Sequence, residues 1–63
     1  MKHSYGFRFE YRQEKDGEAI KDCFFIESKD PDGENACTIA MLQFLKKHDY
    51  YSGRIVSWTE YKD

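Results

Sequence analysis

Ala36-Cys37-Thr38-Ile39-Ala40-Met41-Leu42-Gln43-Phe44-Leu45-Lys46-Lys47-His48 is the only stretch of the chain with a convincing helical pattern. At about 100° per residue, Cys37, Met41, Phe44 and Leu45 fall on one side, with Gln43, Lys46 and Lys47 roughly opposite. Thr38 and Leu42 flank the apolar side, and Ile39 is out of phase. The apolar arc is wider than a solvated helix needs. Two readings account for that width. Either the helix is sunk deeply across a small sheet, or Ile39 and Leu42 touch another molecule. The helix is expected over residues 34–49. Lys46, Lys47 and His48 would then lie in its last turn, where cations suit the negative end of the helix dipole.

Working outward, the segment before the helix reads as a hairpin. In residues 4–13, Tyr5, Phe7, Phe9 and Tyr11 share one face and Arg8, Glu10 and Arg12 the other, the period-2 signature of a half-buried strand. Asp16-Gly17 is a hairpin signal, with Gly17 expected to supply a positive φ. A second strand is expected over residues 19–27. Ile20, Phe24 and Ile26 share one face, interrupted by Asp22, and Lys21, Cys23 and Phe25 share the other. Cys23-Phe24-Phe25-Ile26 is apolar on both sides, so either a bulge shifts the phase or Phe25 lies on the open face. Asp30-Pro31-Asp32-Gly33 is a turn, and Asp32 or Asn35 is suited to cap the helix. Its acids do not match a calcium loop, because the twelfth position counted from Asp30 is Met41 rather than Glu.

After the helix, Tyr50-Tyr51-Ser52-Gly53 turns the chain. A third strand is expected over residues 54–61, with Val56 and Trp58 on one face and Ile55, Ser57, Thr59 and Tyr61 on the other. The order is β-β-α-β. A helix that carries the chain back across the sheet places the third strand beside the first. The result is one small α+β domain: a three-stranded antiparallel sheet of order 2-1-3 with one helix packed on one face. Strands two and three are then edges with unpaired backbone groups.

Composition bounds the function. A chain of 63 residues buries only about 60% of the surface its unfolded form exposes. Its five Phe, five Tyr and one Trp compensate for that. Twelve acids against ten bases, interspersed, argue against general duplex binding, which needs a basic field. No segment approaches the length and apolarity of a membrane span, and residues 1–6 lack the apolar core of a signal peptide, so a cytosolic location is expected. Cys23 and Cys37, 14 positions apart with no CxxC, fit free thiols in a reducing compartment. A bridge between strand two and the helix remains open if both face one core. His48 is expected to pack its ring at the helix end, and His3 to fray.

The chain contains no phosphate loop, HExxH, GxSxG or paired-carboxylate pattern, so no cofactor, metal or enzymatic activity is expected. Two surfaces remain. The open sheet face gathers Arg8, Arg12, Lys21, Phe25, Ile55 and Tyr61, with Glu10 among them. That mixture suits a protein interface, and less well the stacking of single-stranded bases. The second surface is an edge strand together with Ile39 and Leu42, suited to strand addition or a homodimer. Arg8, Arg12, Phe25, Ile39, Leu42 and Tyr61 are therefore the candidate partner-binding residues.

The strand-strand-helix-strand order, the length near 60 and the acidic turns resemble those of small phage-encoded host-takeover proteins. Among these are the short RNA polymerase inhibitor of T7-like phages and several anti-CRISPR proteins. The resemblance covers the whole chain at the level of element order, with no motif matched residue by residue. It implies an inhibitor that occupies a surface of a host complex, with a protein partner and without catalysis.

Overall fold

Alternation at His3–Arg12 commits the first strand, β1, to one buried and one open face. The computed structural model, which describes residues 2–62, follows that pattern. Tyr5, Phe7, Phe9 and Tyr11 are buried and Arg8 and Arg12 exposed. β2 spans Ile20–Ser28, the helix α1 spans Gly33–Leu45, and β3 spans Ser52–Tyr61. The sheet order is β2-β1-β3 with both pairings antiparallel, as expected. The strand with the clean alternation is central because each of its faces must do one consistent thing.

The core lies between the helix and the sheet. Cys37, Met41 and Leu45 come down from α1, joined by Ala36, onto the β1 aromatics. Phe24, Phe44 and Ile55 pack around them. Phe24 and Phe44 meet at a tilt with ring centroids 5.0 Å apart, and His48 closes the group 4.5 Å from Phe44, so its ring packs at the helix end as expected. At the other end of α1, a Cβ on Gly33 would land on the Trp58 ring, so a residue without one lets the helix start flat on β3.

The turns differ from the simplest expectation. β1 and β2 are joined by seven residues rather than the five left between the expected strands, and Gly17 does not have the positive φ expected of it. Gly17 instead closes a turn through its N–H to the Glu14 carbonyl (3.0 Å). The Arg12 guanidinium donates to the Gly17 carbonyl (3.1 Å) and holds this turn against the strand. The helix ends at Leu45, not near residue 49. Lys46 and Lys47 therefore follow it, and no cation occupies its last turn.

Asp32 is the N-cap, accepting from the Asn35 N–H. Asp30 organises the approach. Its carboxylate accepts from the Asn35 amide (2.6 Å) and from the Asp32 N–H (2.9 Å), and its carbonyl accepts from the Tyr5 hydroxyl (2.6 Å). Burial, aided by the Glu60 and Asp30 charges, pushes the Tyr5 phenol up, so it stays a donor. The Asn35 amide first, then the Asp32 N–H, holds the Asp30 carboxyl below its ordinary value. Ionised Asp30 therefore stabilises the fold above its unfolded value of about 3.9. That contribution is lost as pH falls below this value and through the lower folded one. Acid titration followed by circular dichroism should show the loss, and Asp30→Asn, which can still accept from Asp32, should flatten that part of the profile.

Cys23 is exposed on the open face of β2 and Cys37 is buried under the helix, so the two thiols lie on opposite faces and are unbridged. Burial raises the Cys37 thiol. A disulfide reagent should label Cys23 at once. Cys37 should react only through global opening, slower by on the order of 10²–10⁴-fold for a domain of about 3–5 kcal/mol. Equal labelling rates would show that the helix does not cover Cys37.

Candidate functional site

The register places Ser4, Gly6, Arg8, Glu10 and Arg12 of β1 on the face away from the helix. Glu27, Phe25, Cys23 and Lys21 lie beside them on β2, and Tyr61, Thr59, Ser57 and Arg54 on β3. β2 pairs without a bulge, so plain alternation delivers Phe25 to this face, where it is 76% exposed. Tyr61, 51% exposed, meets it from β3 with ring centroids 5.7 Å apart. The two rings close over Gly6. A Cβ there would come within 2.7 Å of Tyr61 and 3.0 Å of Phe25, so only glycine lets the rings lie this low. The result is an aromatic ridge across the central strand.

The bulge is in β3 instead. Arg8 pairs Ser57 and Phe9 pairs Ile55, so Val56 is the extra residue. Because side chains alternate with period 2, one inserted residue turns everything before it to the other face. Ile55 therefore packs on the core, not on the open face, and Val56 is pushed outward, 51% exposed. Trp58, on the far side of the bulge, keeps its expected face and meets Tyr5 edge-on at 5.9 Å.

Next to the ridge along β1 comes Arg8, between Cys23 and Ser57. Glu10 follows, accepting from Arg54, with Lys21 on its other side. Beside the ridge is a hollow of about 620 Å³ open to solvent, lined by Arg8, Lys21, Arg54, Glu10, Asp22 and Val56 among others. The Asp22 carboxylate there is engaged by the Cys23 N–H (2.8 Å), which occupies one backbone donor of this edge strand.

The six candidate residues separate into groups. Arg8, Phe25 and Tyr61 stand together on the open face. Arg12 points to that side but is tied to the Gly17 carbonyl, so it is part of the turn rather than a free contact. Ile39 (47% exposed) and Leu42 (38%) lie on the outer flank of α1, on the other side of the sheet. His3 does not fray. It stacks on Tyr5 and its Nδ1 lies 2.8 Å from the Glu60 carboxylate, tying β1 to β3. Gly6 and Val56 belong to the face and were not among the candidates. An isolated glycine inside an alternating strand is a signal of close approach and marks Gly6. Nothing local marks Val56, because either member of the Ile55-Val56 pair fits a core.

Comparison with protein-family models, with curated proteins and with solved structures found no match. Among the described residues no helix is long and apolar enough to cross a membrane, and no group of three or more His, Cys, Asp or Glu is placed to hold a metal ion.

Proposed function

We propose that this chain is a non-enzymatic protein-binding module that works by occupying a surface of a larger partner with the open face of its sheet. One observation carries the reading: the ridge of Phe25 and Tyr61 beside Arg8, which has no ion-pair or hydrogen-bond partner among the described residues. Aromatic and Arg side chains are the groups that dominate binding energy at protein interfaces. Large exposed aromatic surface on a chain with this little core is costly unless it is used.

Replacing Phe25 by a benzophenone amino acid, and irradiating cells that encode the protein, tests this directly. Position 43 on the outer side of the helix serves as control. A discrete protein adduct from position 25 and none from position 43 is the expected result. Absence of any adduct from position 25 overturns the reading.

The excess of cations on the same face supports a second reading, in which the ridge stacks single-stranded bases. A nuclease-sensitive adduct would assign it. Element order and length further support placing the chain among phage or mobile-element inhibitors that sit on RNA polymerase or a CRISPR effector. Failure to bind either purified complex removes that refinement.

A further inference from the structure

The open face differs in charge from the rest of the molecule. Four cations (Arg8, Arg12, Lys21 and Arg54) and two acids (Glu10 and Glu27) point from it, in a chain whose net charge is −2. Both acids are engaged: Glu10 by Arg54, and Glu27 by Lys2 at 3.8 Å. Arg12 is held at the turn. Arg8 and Lys21 are the two cations of this face with neither an ion-pair nor a hydrogen-bond partner among the described residues. Resting on the reading above, we infer that the occupant of this face is an extended acidic protein segment with an apolar anchor.

The arrangement of the rows specifies its pattern. Thr59, Gly6 and Phe25 form one row across the sheet, with the Tyr61 ring leaning over Gly6 from the row of Ser4; Ser57, Arg8 and Cys23 form the next, and Arg54, Glu10 and Lys21 the third. Rows are two residues apart, about 6.8 Å. That is also the spacing of alternate side chains on an extended segment laid along the strands. An apolar or aromatic residue on the ridge therefore puts the residue two positions on over Arg8, and the residue four positions on over the row that ends in Lys21. The segment reads apolar-x-acid-x-acid, in either chain direction. A nucleic acid fits this face less well. It would bring a charge with every nucleotide to two free cations, and the acidic turn at Glu14, Asp16 and Glu18 stands at the end of the sheet.

The test is selection of displayed random twelve-residue peptides on the immobilised full chain. A retained peptide and a fifteen-residue oligothymidine are then titrated by fluorescence anisotropy. Retained peptides are expected to carry acids two and four positions from an apolar residue. Arg8→Glu and Lys21→Glu should each weaken binding on the order of tenfold, whereas Arg12→Glu should not. Arg8→Gln, which keeps a polar side chain at this exposed position, serves if the reversal perturbs the circular dichroism spectrum. No peptide retained, no enrichment of acids, binding indifferent to Arg8, or oligothymidine bound more tightly than every peptide overturns the inference. A protein adduct from position 25 together with any of these results leaves the binding-module reading standing and this one refuted. Without the adduct, both fall.

Discussion

Phe9→Ala is expected to leave most of the chain unfolded at 25 °C. Phe9 is 1% exposed at the middle of the central strand, within 5.5–5.9 Å of the Phe7, Tyr11, Phe24 and Phe44 ring centres. It links the aromatic rings of β1, β2 and the helix. Truncating such a ring costs about 3–5 kcal/mol, and a domain of this size rarely holds more than about that much in total. Loss of near-ultraviolet ellipticity and of dispersed amide resonances is the readout. A variant that still unfolds cooperatively within about 1 kcal/mol of the parent would show that the aromatic stack is not the source of stability.

Phe25→Ala should do the reverse: keep the fold and lose the partner. The ring is mostly in water, and its structural duties are to cover Gly6 and lean on Tyr61. Losing an exposed aromatic contact of this kind costs about 1 kcal/mol, a fall of about 4–8 °C in Tm for a small domain. Partner affinity should drop about 30-fold or more, as for truncation of an aromatic anchor worth about 2 kcal/mol. Binding and Tm must be measured on the same preparation. A large fall in Tm with unchanged affinity would make the ridge a device that seals a glycine in the central strand, and the binding surface would have to be sought at Ile39 and Leu42.

The division of the candidate residues follows from how far each is set by local pattern. β1 alternates without interruption, so Arg8 could be assigned to the open face from the sequence, as could the burial of Tyr5, Phe7, Phe9 and Tyr11. Phe25 was ambiguous only because its neighbours are apolar on both sides. Regular pairing of β2 with β1 resolved that. Arg12 failed as a free contact because its partner is a carbonyl five residues along in the turn, which side-chain patterns do not reveal. His3 departs from the expected fraying for a similar reason: its partner Glu60 is 57 residues away.

The sequence by itself determined the element order, the central strand, the inward side of the helix and the strand order 2-1-3. Each of these depends on a periodicity or on the reach of a short connection. Only the tertiary structure decided which members of β3 face the solvent. A single extra residue at Val56 inverts a period of two, and where it is inserted depends on pairing with Phe9, nearly fifty positions away. It also decided that Phe25 and Tyr61, brought in on opposite edge strands, meet over Gly6. That contact exists because a backbone without a side chain leaves room for both rings.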